Sequence, residues 1–189
     1  GPGFSKIFLG EDCVDRWEEF IELMVESVYV NGGRSCINCS SIFAPRHTHE
    51  IAQAIAEKIG PTEPLPTTDP EAGLAAFTTP GVGAAIWNMV QQDLQGEGVT
   101  HCTADYGPRL VERERYSYLR PVVAHADNSD CAIATKEFMF PFVTVVKCPQ
   151  KDMIKKAGPT LVGTAITEDQ AWIDQLTAAT TIDRLNIGP

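Results

Sequence analysis

The last third of the sequence alternates between strand-like and helix-like segments, and this alternation limits the possible folds more than any other feature. Five segments follow one another with short connections: Phe142–Lys147, Lys151–Ala157, Thr160–Ile166, Glu168–Thr180 and Ile182–Ile187. The first is a β-branched run, and the fourth places its apolar residues at helical spacing. Strand–helix–strand order with short connections is typical of βαβ units, whose strands lie parallel in one sheet.

The first two thirds of the chain continue the same pattern. Helices are predicted over Val14–Val30, His49–Ile59 and Gly83–Leu94, and strands over Lys6–Leu9, Ser40–Ala44, Val99–Ala104 and Tyr118–Ala126. Because Pro121 interrupts the last of these strands, we expect an edge or bulged strand there. The sequence therefore predicts an α/β fold with one open, largely parallel twisted sheet flanked by helices. We assign residues 1–189 to a single domain.

Composition and charge exclude several classes of protein. The chain has 189 residues, 43% apolar and 21% charged, which is typical of a soluble globular domain. Its formal net charge of −10, without a basic cluster, argues against nucleic-acid binding. We find no apolar run long enough to span a bilayer and no signal peptide. Six scattered cysteines suit a reduced, cytoplasmic protein.

Cys36 is the first candidate for chemistry. It follows Asn31-Gly32-Gly33-Arg34-Ser35, a glycine-rich turn between a predicted helix and a predicted strand. Glycines allow positive φ angles and the close approach of a substrate, and a nucleophilic thiolate must be reachable to react. The alternative is that Cys36 is a small buried apolar residue, as many cysteines are.

Cys36 and Cys39 also form a Cys-x-x-Cys pair, which on its own suggests a redox dithiol or half of a zinc site. No second close Cys/His pair has the spacing of a zinc site, and the pair follows a helix rather than a first strand. His47 and His49 are two residues apart, so they do not share a helical face. We predict no metal site and treat Cys39 as a packing residue.

Two downstream segments add polar candidates. Glu137 stands before an aromatic and proline-containing step that leads into a strand, where its carboxylate could accept hydrogen bonds from ligand hydroxyls. It could equally be a surface acid. Asn186 lies near the end of the last predicted strand, where it could support a loop or simply form a turn.

Taken in order, these segments resemble the aldehyde dehydrogenase superfamily, specifically its catalytic domain. Gly33-Arg34-Ser35-Cys36 is similar to the family's Gly-Gln-x-Cys motif, and Glu137-Phe138-Met139-Phe140-Pro141 to its Glu-x-Phe-Gly-Pro motif. Leu185-Asn186 is similar to a family strand that ends in Asn. The resemblance covers essentially the whole chain.

The resemblance implies an NAD(P)-dependent oxidation of an aldehyde to a carboxylic acid. Cys36 would be the catalytic nucleophile, forming a thiohemiacetal and then a thioester, and its backbone N–H would stabilise the oxyanion. Glu137 would bind the nicotinamide ribose of NAD or NADP, and Gly33 and Asn186 would be structural residues near the site. The partners implied are a small aldehyde and, in the intact enzyme, further copies of the same chain.

Departures from the family pattern narrow these expectations. Arg34 replaces a Gln, and Met139 and Phe140 replace Phe and Gly. The chain starts at Gly1 without a methionine, and we find no dinucleotide or ATP phosphate-binding motif. We therefore expect an excised catalytic domain, with the general base upstream of Gly1, and the cofactor domain and C-terminal tail absent. On that reading the fragment alone binds no cofactor and is inactive; the alternatives are a non-catalytic folding or interaction module, or a Cys-x-x-Cys module.

Overall fold

The computed structural model describes residues 3–66 and 68–188, so the predicted domain limits at residues 1 and 189 lie outside the described part. The strands are Lys6–Leu9 (β1), Ser41–Ala44 (β2), Val99–His101 (β3), Leu110–Glu112 (β4), Ser117–Leu119 (β5), Val122–Ala126 (β6), Phe142–Lys147 (β7), Thr160–Ile166 (β8) and Ile182–Ile187 (β9). The α-helices are Ile21–Tyr29 (α1), Thr48–Ile59 (α2), Val82–Leu94 (α3), Gln150–Ala157 (α4) and Gln170–Ala178 (α5). Short 3-10 helices lie at Val14–Phe20, Val30–Gly33, Ala104–Tyr106 and Ala132–Thr135.

Seven of these strands form one sheet, in the order β3-β6-β7-β2-β1-β8-β9. Every neighbouring pair in it is parallel except β3 with β6, which is antiparallel. Strands β4 and β5 pair antiparallel as a separate hairpin. The predicted α/β fold, with an open and largely parallel sheet flanked by helices, is confirmed.

Alternating residues of the central strands divide the core into two layers. In β1, Ile7 and Leu9 belong to one apolar cluster, and Phe8 belongs to the other, because successive side chains of a strand point to opposite faces. Helices α1 and α2 cover the first face, and α3, α4 and α5 contribute buried residues to the second. None of the described helices has the length and apolar character needed to cross a bilayer.

The prediction of one strand over Tyr118–Ala126 was wrong. The chain forms two strands there, β5 and β6, separated by Arg120 and Pro121. Proline has no N–H to donate to a ladder, so the pairing stops and the chain changes partners. Strand β6 lies between β3 and β7, so it is an interior strand rather than an edge strand.

The first predicted helix, Val14–Val30, is divided in the structure. Residues Val14–Phe20 form a 3-10 segment with a non-helical Arg16 (φ −107°, ψ 24°), and only Ile21–Tyr29 is α-helical. Met24 and Val28, one helical turn apart, carry the buried face of α1. The 3-10 helix Val30–Gly33 follows α1 and leads into the turn with Cys36, so the end of α1 sets where this turn begins.

Candidate active site

Cys36 lies in the turn between the 3-10 helix Val30–Gly33 and strand β2, and it is half-buried. Its carbonyl oxygen accepts a hydrogen bond of 2.8 Å from the Ser5 hydroxyl. Among the described residues, neither its thiol nor its backbone N–H has a hydrogen-bond partner. The turn therefore presents a reachable thiol next to a free amide donor.

Gly33 brings the cysteine turn against the segment that follows Glu137. Its φ angle is +67°, and a Cβ at this position would lie 2.4 Å from both the carbonyl carbon of Phe140 and the nitrogen of Pro141. Real Cβ atoms do not approach backbone atoms so closely, so residue 33 has to be glycine for two independent reasons. The first two sequence motifs are thus in direct contact.

Glu137 contacts the backbone that precedes β1. Its two carboxylate oxygens each accept from the N–H of Gly3 at 3.1 Å, and Oε2 also accepts from the N–H of Phe4. Gly3 in turn packs on Cys36, because a Cβ there would lie 1.8 Å from the Cys36 carbonyl oxygen. Gly3 therefore lies between Glu137 and the cysteine turn and contacts both. Glu137 itself is half-buried.

Lys6, on β1, is a buried residue whose amino group interacts with the Glu137 carboxylate. Its side chain is 1% exposed, and Nζ donates to the Phe4 carbonyl at 2.5 Å. Burial lowers the pKa of Lys6 to about 8, against the opposing effect of Cys39 and the Glu137 carboxylate. The Glu137 carboxylate therefore counteracts part of the effect of burial on Lys6.

Asn186 lies on β9, the edge strand of the sheet next to β8. Its side-chain amide donates to the Thr164 hydroxyl of β8 at 3.4 Å, so it contacts the neighbouring strand and not the turn itself. Asn186 and Ile37, the residue after Cys36, both line a cavity of about 310 Å³. Leu23 and Val30 of the α1 region complete its apolar wall. The cavity opens beside the cysteine turn and is large enough for a small organic molecule.

Asn38 holds the turn in place and was missed by the sequence analysis. It is 7% exposed, its Oδ1 accepts from the Ser35 N–H at 2.8 Å, and its Nδ2 donates to the carbonyls of Ser27 and Val30 at 3.0 Å each. These bonds join the end of α1 to the residues around Cys36. An Asn among small polar residues in a turn carries no signal for this role, because its partners lie up to 11 residues away.

Replacing Asn38 with alanine is expected to lower the free energy of unfolding by about 2 to 3 kcal/mol, since it leaves buried backbone groups unpaired. Urea unfolding measures the loss. Asn128→Ala is the matched control, because Asn128 is exposed and accepts only local hydrogen bonds, from the Asp130 N–H and the Cys131 thiol. A loss no larger than that of the control would contradict this role for Asn38.

Cys39 does not form a reactive pair with Cys36. Its thiol is buried and donates to the Ser41 carbonyl at 3.2 Å, and burial raises its pKa to about 12. A thiol in this state is a poor metal ligand and a poor resolving group, because both roles need the thiolate. Within residues 3–66 and 68–188, no group of three or more His, Cys, Asp or Glu side chains is arranged to hold a metal ion.

Solved structures of several aldehyde dehydrogenases superpose on this chain. The chain superposes on an aldehyde dehydrogenase from Bacillus cereus in complex with NAD+, with a TM-score of 0.80 and 20% sequence identity. It also superposes on a lactaldehyde dehydrogenase from Escherichia coli, with a TM-score of 0.80 and 15% identity. An indole-3-acetaldehyde dehydrogenase in complex with NAD+ gives a TM-score of 0.74 at 16% identity. No protein-family model and no curated protein matches the chain.

The chain has the fold of an aldehyde dehydrogenase segment. The match covers 98% of this chain and 38% of the Bacillus cereus enzyme, and 98% and 39% for the lactaldehyde dehydrogenase. The aldehyde dehydrogenase fold thus extends over practically every element described above, while the chain spans about two fifths of the length of these enzymes. The TM-scores of 0.80 establish the shared fold, whereas identities of 15 and 20% say nothing about the chemistry of this chain.

Proposed function

We propose that Cys36 is the nucleophile of an NAD(P)-dependent aldehyde dehydrogenase, and that the activity belongs to a longer protein containing this chain. The observation that carries the proposal is the geometry of the turn: a half-buried cysteine with an unbonded thiol and backbone N–H, next to a residue that lines a cavity, in an aldehyde dehydrogenase fold. The part of the enzymes that the chain does not span would supply the cofactor domain.

The proposed reaction begins when the Cys36 thiolate attacks the aldehyde carbon. A carbon–sulfur bond forms, and the carbonyl electron pair moves to oxygen, where the Cys36 N–H can donate to the developing oxyanion. Bound NAD or NADP would accept the hydride as this thiohemiacetal is oxidised to a thioester. Water then attacks the thioester, the carbon–sulfur bond breaks, and the carboxylic acid leaves with the thiol restored.

Glu137 is the residue of this chain proposed to bind the nicotinamide ribose. A carboxylate has about four lone-pair positions, and the three contacts with the N–H groups of Gly3 and Phe4 leave about one position for a further donor. Its half-buried position, one residue from the cysteine turn, suits a group that orients a cofactor next to Cys36. Glu137 therefore fits one hydroxyl group of a ribose, while a phosphate-binding motif was not found in the sequence.

The cavity beside Ile37 is proposed to receive the aldehyde. Its wall combines four apolar side chains with five polar ones: Leu23, Val30, Ile37 and Val162, and Glu26, Ser27, Thr164, Arg184 and Asn186. A cavity with both kinds of group can hold and orient a small polar molecule. Association into a homo-oligomer and a cytoplasmic location belong to the same proposal.

The proposal is tested by the relative reactivity of two half-buried cysteines. We expect a substoichiometric alkylating agent to label Cys36 at least about 10-fold faster than Cys131, as read by peptide mass spectrometry. Cys131 is matched in exposure, but its thiol donates to the Glu97 carbonyl at 3.5 Å. Equal labelling of Cys36 and Cys131 would instead favour the non-catalytic folding or interaction module.

A further inference from the structure

Cys36 accepts one hydrogen bond within residues 3–66 and 68–188, and Ser5 provides it. The Ser5 hydroxyl donates to the Cys36 carbonyl oxygen at 2.8 Å, across 31 positions of the chain. Ser5 is 2% exposed and stands immediately before β1, which is an interior strand of the sheet. This hydroxyl therefore ties the cysteine turn to the sheet.

The peptide groups on both sides of the Cys36 Cα are held by hydrogen bonds. The Ser35 carbonyl accepts from the Asn38 N–H at 2.9 Å, which fixes the peptide group before Cys36. Because a peptide group is planar, this bond also fixes the direction of the Cys36 N–H. The Ser5 hydroxyl fixes the peptide group after Cys36. With both planes fixed, the Cβ has one direction, and only the χ1 rotation of the thiol remains.

Ser5 is itself anchored on both sides of β1. Its carbonyl accepts from the Ser40 N–H at 2.9 Å and from the Ser40 hydroxyl at 3.2 Å, directly before β2. The Gly3 carbonyl accepts from the N–H of Leu161 in β8 at 2.8 Å. Strands β2 and β8 are the two neighbours of β1 in the sheet. The segment that carries Ser5 is therefore a rigid support for the Cys36 carbonyl.

Phe4, the residue before Ser5, has a backbone conformation that needs support. Its φ angle is +48°, in the left-handed region that residues with a side chain seldom adopt. Its carbonyl accepts from the buried Lys6 amino group, and its N–H donates to the Glu137 carboxylate. Such strain persists where surrounding contacts over-determine the backbone, and it is concentrated at functional sites. The same contacts hold Ser5 in one position relative to Glu137.

We propose that Ser5 is a positioning residue for the Cys36 nucleophile. The inference rests on the function proposed above and adds a residue to it. By fixing the peptide group after Cys36, the Ser5 hydroxyl keeps the thiol and the free N–H in one mutual arrangement. In that arrangement the sulfur can attack a carbonyl carbon while the N–H donates to its oxygen. Misplacing a reacting group by about 1 Å can cost about 100-fold in rate.

The first test compares two serine variants of the 189-residue chain by alkylation with iodoacetamide. In Ser5→Ala, the ratio of the Cys36 and Cys131 labelling rates should fall at least about 3-fold, because the freed peptide group lets the thiol turn from its reachable direction. Ser41→Ala is the matched control, since the Ser41 hydroxyl is also buried and donates to the Ala134 carbonyl at 2.8 Å. Its ratio should stay within about twofold of the unmodified chain. An unchanged ratio in Ser5→Ala, or equal falls in both variants, would overturn the proposal.

Two buried cysteines report whether each variant stays folded. Cys13 and Cys148 are fully buried, so their labelling reveals unfolding. If Ser5→Ala unfolds, Ser5→Thr decides the question, because threonine keeps the hydroxyl. Ser5→Thr should retain the ratio of Cys36 to Cys131 labelling within about twofold. Loss of that ratio in a folded Ser5→Thr chain would overturn the proposal.

The second test uses a protein that joins this chain to the cofactor domain required by the proposed function. Ser5→Ala is expected to lower kcat about 10- to 100-fold and to leave KM within about 3-fold, because the aldehyde still binds while the reacting groups are misplaced. Ser41→Ala should leave both constants within about 3-fold. An unchanged kcat in Ser5→Ala would remove the role of Ser5 alone. Equal labelling of Cys36 and Cys131 in the unmodified chain would instead remove the proposed function, and this inference with it.

Discussion

Replacing Cys36 with alanine is expected to lower aldehyde oxidation by at least about 10³-fold, because the covalent thiohemiacetal and thioester can no longer form. The assay needs a protein that joins this chain to the cofactor domain required by the proposed function. Production of NADH or NADPH with a panel of aldehydes measures the loss. The variant should fold normally, since Cys36 is only half-buried and its thiol makes no hydrogen bond in the described residues.

Cys131→Ala is the matched control for this experiment. Cys131 is also half-buried, but it lies next to Gly98 rather than beside the cysteine turn, so its loss should leave the rate within about twofold. Cys39→Ser should also retain activity, since the proposed mechanism does not use a second thiol. Aldehyde oxidation that persists in Cys36→Ala would remove Cys36 from the role of nucleophile.

Replacing Gly33 with alanine is expected to lower the free energy of unfolding by about 2 to 5 kcal/mol. A left-handed backbone costs a non-glycine residue about 1 to 2 kcal/mol, and overpacking adds about 1 to 3 kcal/mol. The overlap is with the backbone of Phe140 and Pro141, which cannot rotate away as a side chain can. Urea unfolding of the chain measures the effect.

Gly81→Ala separates the two causes. Gly81 also has a positive φ angle, +78°, but a Cβ there meets nothing within 4 Å. Its replacement should therefore cost only the backbone term, about 1 to 2 kcal/mol. Similar losses for the two variants would show that the contact between Gly33 and Pro141 does not hold the turn in place.

Much of the fold could be predicted because its signals are local. The bounds of β7, β8 and β9 in the structure equal the predicted ones, since β-branched runs between turn signals specify a strand within a few residues. The break at Pro121 could be recognised as a disturbance, but its outcome could not. Whether a proline ends one strand and starts another depends on the strands available as partners, and the sequence does not display these.

The candidate site could be predicted only in part, for a similar reason. Cys36 and Gly33 stand in a recognisable glycine-rich turn, and the structure places them against the segment after Glu137. Asn38 gave no such signal, because its hydrogen bonds reach back to the end of α1.

By itself, the sequence determined the fold class and the residues with reactive side chains. Hydrophobic periodicity and turn residues act within a few positions along the chain, so they can be read without the rest of the molecule. The tertiary structure alone decided which of those residues meet. It placed Gly3 between Glu137 and Cys36 and buried the Cys39 thiol, raising its pKa to about 12. Burial and contact between distant segments arise only when the sheet assembles, and they separate the reachable thiol of Cys36 from the inert one of Cys39.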